Sequence, residues 1–151
     1  MGMDKNVATA IVLERCNCYD SSLEAAKKAL MSGDLPHDQI QAAKEVIISL
    51  GNFYLNQQCL EKIMECCRLL EKHPTEPDQE VHDLEATIPR DLFELFKATQ
   101  AVPENQTKTI HQLIAEALTL LVLEYAQQPE VKKKILENAE SRFAKYSSSS
   151  E

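Results

Sequence analysis

The side chains best able to do chemistry in this 151-residue chain are five cysteines, Cys16, Cys18, Cys59, Cys66 and Cys67, and four histidines, His37, His73, His82 and His111. Brought together, such groups would hold zinc or form a thiolate–imidazole nucleophile. Their spacing argues against both. Cys16 and Cys18 stand two apart, which on a helix turns their side chains about 200° from each other. Cys66 and Cys67 are adjacent and diverge by about 100°. Cys59 and Cys66 share a helical face, but Ile63 and Leu70 occupy that face too, and a free cysteine packs as a small hydrophobe. The stripe Leu60, Ile63, Cys67, Leu70 makes Cys67, or failing it Cys66, the buried thiol. The histidines are scattered and fit no zinc spacing. No metal and no cofactor is expected.

Other catalytic signatures are missing as well. Three glycines in the whole chain leave no glycine-rich phosphate loop, and neither Gly-x-Ser-x-Gly nor His-Glu-x-x-His occurs. The expectation is a protein that is not an enzyme. An odd number of cysteines behind an N-terminus without a signal layout points to reduced thiols and a cytoplasmic location. No apolar run approaches the roughly 20 residues that span a bilayer, so no membrane contact is expected. The net charge is −8. Residues 80–127 carry eight acids and three bases, whereas residues 128–151 carry four acids and five bases. An acidic body repels phosphate backbones.

The elements that carry these residues read as helical in the first half. Asp4 caps a helix running to about Cys18. Ser21 with Glu24 makes a capping box for a second helix, stopped at Gly33. Pro36 opens a third, whose stripe runs Ile40, Ala43, Ile47, Leu50, Tyr54. A turn near Gln57-Gln58 leads into the helix holding Leu60, Ile63, Cys67 and Leu70. His73-Pro74-Thr75-Glu76-Pro77-Asp78 is the best linker in the chain. The expected organisation is a helical domain at 1–73, a linker at 74–80, a second domain at 81–127, a terminal helix at 128–146 and a disordered serine-rich tail at 147–151.

Leu50-Gly51-Asn52-Phe53-Tyr54 followed by Glu61-Lys62 resembles a tetratricopeptide repeat over residues 44–74, with Ile63, Cys67, Leu70 and Pro74 near the expected packing positions. Ile63 and Cys67 replace the usual alanine and aromatic, and Pro74 comes one residue early. The resemblance implies a helical hairpin that recognises a protein.

The second domain reads differently. Val81-His82-Asp83-Leu84-Glu85-Ala86-Thr87-Ile88 alternates, with Leu84, Ala86 and Ile88 on one side and Asp83, Glu85 and Thr87 on the other, the pattern of a half-buried strand. Pro89 ends it and starts a helix bearing Leu92, Phe93, Leu95 and Phe96. Pro103-Glu104-Asn105-Gln106 turns the chain, and Thr107 or Thr109 caps a helix with Ile110, Leu113, Ile114, Ala117, Leu118 and Leu121. This order resembles the ribbon-helix-helix family of repressors and antitoxins. The resemblance implies an obligate homodimer with a shared core of Leu84, Ala86, Ile88, Leu92, Phe96, Leu113 and Ala117, Thr109 as the helix N-cap, and an outward strand face of Asp83, Glu85 and Thr87. That face would read DNA in the family's manner, but two carboxylates are repelled by a phosphate-lined groove and cannot donate hydrogen bonds to base edges.

The fold class expected from sequence is therefore mainly α: N-terminal helical hairpins, then a strand-helix-helix unit, then a terminal helix. The expected function is a non-enzymatic, dimeric protein-interaction or regulatory module whose partner is another protein. The alternative is a DNA-binding regulator or antitoxin using the ribbon.

Overall fold

The computed structural model describes residues 3–32, 35–71 and 85–149. Among them are seven α-helices, two short 3-10 turns and no β-strand. The chain divides into two compact units, one made of Met1–Pro77 with Ala126–Glu151 and the other of Asp78–Tyr125.

The first unit stacks helices α1 (Lys5–Arg15), α2 (Tyr19–Met31), α3 (His37–Gln57) and α4 (Leu60–Glu71). Asp4 caps α1, its carboxylate accepting from the N–H groups of Asn6 and Val7 and satisfying two of the donors that a helix start leaves open. Small residues let α1 and α2 approach closely: Ala10, Ala26 and Ala29 are fully buried, and buried Ser22 donates to the Ala10 carbonyl at 2.7 Å. The α2 start differs from the sequence expectation. The helix begins at Tyr19 with Cys18 as N-cap, so Ser21 lies inside the first turn and caps nothing. Between α1 and α2, Asn17 takes φ +63°, the left-handed conformation in which asparagine is among the better tolerated residues. Gln58, at φ +54°, ends α3 in the same way.

α3 is the central helix of this unit. Its long apolar face buries Ala43, Ile47, Leu50 and Tyr54, and it packs against α1, α2, α4 and a further helix, α7 (Pro129–Ser149). On α4 the buried stripe is Leu60, Ile63, Cys66, Leu69 and Leu70. Leu60, Ile63 and Leu70 are buried as the stripe predicts, but of the two adjacent thiols it is Cys66 that is fully buried and Cys67 that is only half-buried. α7 runs to Ser149, three residues into the segment expected to be a disordered tail.

α7 joins the first unit through a specific fit. Phe143, 2% exposed, lays its ring on Gly51 of α3. A Cβ at position 51 would stand 2.7 and 2.8 Å from the Phe143 Cε2 and Cε1 atoms and closer still to Cζ. Glycine in mid-helix costs roughly 0.5–1 kcal/mol relative to alanine, and here it makes the space for a buried aromatic ring. Tyr146 adds a hydroxyl that donates to the Leu70 carbonyl of α4 at 3.2 Å. The Lys44 ammonium lies over the Tyr146 ring at 5.4 Å, within the distance at which a cation is attracted to a ring face.

The second unit corrects the strand-helix-helix expectation. Residues 85–89 are exposed and form no strand, and Val81–Leu84 lie outside the described residues. Alternation alone does not make a sheet. A strand needs a neighbour to take its N–H and C=O groups, and no described segment supplies one. Beyond Pro89 the unit consists of α5 (Arg90–Ala98), the 3-10 turns Thr99–Ala101 and Pro103–Asn105, and α6 (Ile110–Glu124). α5 packs on the turn that follows it, and no packing like that of the first unit joins α5 to α6.

Candidate functional site

The most informative surface lies on α5 and α6, and its cause is visible in their residues. α5 places Leu92, Phe93, Leu95 and Phe96 at helical spacing; Leu92 is 56% exposed, Leu95 68%, Phe93 exposed and Phe96 half-buried. In α6, Thr109 accepts from the N–H of Gln112 at 3.1 Å while the Gln112 side chain takes the Thr109 N–H at 2.8 Å. This reciprocal capping box satisfies two open donors and fixes where α6 begins. Lys108 pairs with Glu116 at 2.8 Å across the first two turns. The helix so started carries Ile114, Leu118, Leu120 and Leu121 to solvent, all exposed, and Tyr125 follows them, also exposed. Leu113 is the only buried residue among those described between 85 and 125.

The residues expected to form a ribbon dimer core therefore stand apart. Ala86, Ile88, Leu92 and Ala117 are exposed, Phe96 is half-buried and Leu113 is buried. Leu84 lies outside the described residues, as does Asp83 of the expected outward face. Glu85 and Thr87 are exposed on a segment without regular secondary structure, with no strand partner among the described residues. Among the described residues no sheet sets their direction, so they do not form a groove-reading surface.

His73 and His82 lie outside the described residues. Among the described residues no group of three or more His, Cys, Asp or Glu side chains could hold a metal ion. Cys66 is enclosed by α4 and its neighbours. Burial, reinforced by nearby Cys67 and Glu65, pushes its thiol far above the ordinary range, so it is protonated and unreactive. Cys16 and Cys18 are exposed, and Cys59 is half-buried. Tyr54 on α3 is 3% exposed and donates to the Asp20 carboxylate of α2 at 2.6 Å. Its hydroxyl is raised well above the usual tyrosine value, first by burial and then by that hydrogen bond.

Two open hollows lie within the first unit. One, of about 410 Å³, is lined by Asn52, Leu55, Asn56 and Gln58 from the end of α3 and by Leu136, Glu140 and Phe143 from α7. The other, of about 350 Å³, is lined by Asn17, Cys18, Tyr19, Asp20, Ser21 and Phe53. Tyr19 and Phe53 stack there with ring centroids 3.8 Å apart. The second hollow brings the Cys18 thiol and the Ser21 hydroxyl to the same rim as the Asp20 carboxylate. Sequence reasoning missed the second, because the helix break at residues 16–18 is set by the left-handed turn at Asn17, which no apolar periodicity marks. Among the described residues no helix is long and apolar enough to cross a membrane. Comparison of the chain with protein-family models, with curated proteins and with solved structures finds no match.

Proposed function

We propose that this chain is a non-enzymatic protein-interaction module. In this reading, the first unit presents a helical surface to a protein partner, and the α5–α6 unit associates with a second copy of the chain to give a homodimer. One observation carries it. Ten large apolar side chains between Ile88 and Tyr125 are exposed, against one buried residue among those described there. A unit of this size does not hold two helices in place with one buried leucine. Covering a half-exposed leucine contributes about 1 kcal/mol, so a face of this breadth supplies a substantial part of a dimer's binding energy. A second copy is the occupant favoured here because it brings the same apolar area and closes on itself by two-fold symmetry.

The first unit's role rests on the resemblance of residues 44–74 to a tetratricopeptide repeat. α3 and α4 with their turn at Gln58 form the hairpin, the α1–α2 pair precedes it and α7 packs against it. Five free thiols fit a reducing cytoplasmic setting. DNA reading depended on a strand face and is not part of the proposal.

The test is the solution mass of the full chain by light scattering at micromolar concentration, beside the variant Leu118→Glu/Leu121→Glu. The wild type is expected at twice the chain mass. The variant is expected at the chain mass and still helical by circular dichroism. A monomeric wild type overturns the dimer.

A further inference from the structure

We infer that Cys16 and Cys18 form a reactive dithiol that takes up a low-molecular-weight disulfide and closes to a disulfide within the α1–α2 turn. This chemistry depends neither on the dimer nor on the protein partner.

On a continuous helix these two side chains would point apart. The structure breaks the helix between them. Cys16 is the C-cap of α1, Asn17 sits at φ +63°, and Cys18 is the N-cap of α2. Two Cα–Cα steps bent at a left-handed residue separate the outer Cα atoms by about 5.5 Å. That lies inside the roughly 4.4–6.8 Å range of disulfides. The Cys18 thiol is turned back toward residue 16, its sulfur 3.8 Å from the Cys16 carbonyl oxygen. Both cysteines are exposed.

Cys18 also lines the 350 Å³ hollow floored by the Tyr19–Phe53 stack and edged by Asp20 and Ser21. That hollow is open to solvent, so a small disulfide can approach the thiol from that side. The rest of the molecule supplies the contrast. Cys66 is fully buried, Cys67 is half-buried on α4, and Cys59 is half-buried in the turn that precedes α4.

The reaction balances without a further reagent. The Cys18 thiol loses its proton to solvent and the thiolate attacks one sulfur of the small disulfide, RSSR. A Cys18–SR bond forms, the S–S bond breaks, and RS⁻ leaves to take up a proton. The Cys16 thiolate then attacks the Cys18 sulfur, the Cys16–Cys18 bond forms, and the second RS⁻ leaves and is protonated. The two cysteines lose two hydrogens and two electrons, and RSSR becomes two RSH.

Trypsin reads the outcome directly. Cleavage after Arg15 and Lys27 gives a peptide of residues 16–27 whose cysteines are Cys16 and Cys18, and cleavage after Lys62 and Arg68 gives one whose cysteines are Cys66 and Cys67. The native full chain is incubated with oxidised glutathione, alkylated and digested. Peptide 16–27 is expected to lose two hydrogens at least about tenfold faster than peptide 63–68 acquires any modification. The variant Cys16→Ser is expected to stop at a stable glutathione adduct on Cys18. The same incubation in denaturant is expected to level the rates of the two peptides. Stable glutathione on both Cys16 and Cys18, equal rates for the two peptides in the native chain, or disulfides joining two chains would each overturn the inference.

Discussion

Replacing Gly51 with alanine tests how α7 is joined to α3. At an exposed helical site this substitution stabilises a protein by up to about 1 kcal/mol, because alanine is the better helix former. At position 51 the new methyl would meet the Phe143 ring, with Cε2 and Cε1 at 2.7 and 2.8 Å, well inside van der Waals contact. The ring is 2% exposed, so moving it off Gly51 disturbs the packing of α7 on α3. Forcing an extra methyl into such a site costs about 1–3 kcal/mol, and the close approach of three ring carbons places it in the upper half of that range. After the helix-propensity gain the net loss is about 1–2 kcal/mol. In a unit of this size each kcal/mol lowers the midpoint by roughly 4–8 °C. The assay is thermal and urea unfolding of Gly51→Ala, of Phe143→Leu and of the pair. Phe143→Leu removes the ring edge, so adding Gly51→Ala to it should cost nothing or stabilise. A more stable Gly51→Ala single variant, or two effects that simply add, would refute the packing of α7 on this glycine.

Four further outcomes are expected. Phe143→Ala leaves a cavity where the ring was and should destabilise the first unit by about 3–5 kcal/mol in urea unfolding. Thr109→Ala removes the α6 capping box and should cost about 1 kcal/mol, while Thr109→Asp should retain most of the stability. Stability should fall in alkaline solution, and Tyr54→Phe should fall less steeply. The folded state raises the Tyr54 hydroxyl, so its contribution is complete below the unfolded tyrosine value of about 10 and is lost as pH climbs toward the folded one. Leu118→Glu/Leu121→Glu should halve the solution mass, since both side chains are already exposed within one chain, at 46% and 52%, and a charge there costs little except at an interface.

Much of the first unit can be read in the sequence, because short-range rules govern it. The Asp4 cap, the turn at Gln57-Gln58 and the α3 stripe through Gly51 follow from side-chain types and a 3.6-residue period. What could not be read depends on tertiary partners. Nothing local in residues 129–149 says that Phe143 sits on Gly51, since that match joins residues 92 positions apart. Cys66 rather than Cys67 is buried because α3 and α7 flank α4, which fixes the phase of a helix whose own pattern allows either. The start of α2 moved from Ser21 to Tyr19 because the left-handed Asn17 ends α1 early. The sharpest misreading was the alternation at 81–88. Period-two patterning describes which side of a strand would be apolar, but only a hydrogen-bonding neighbour makes the strand. The apolar faces of α5 and α6 were legible, and they stand exposed in the single chain.

The central claim is that α5 and α6 are covered by a second copy of the chain. Amide hydrogen exchange of the full-length protein, measured over a dilution series, tests it most directly. If a second copy covers this face, α6 amides from Leu113 to Glu124 are protected at high concentration and lose protection on dilution, while α3 amides around Ile47 and Leu50 keep theirs throughout. Protection of α6 that does not change with concentration would contradict it, as would α6 amides that exchange freely at every concentration.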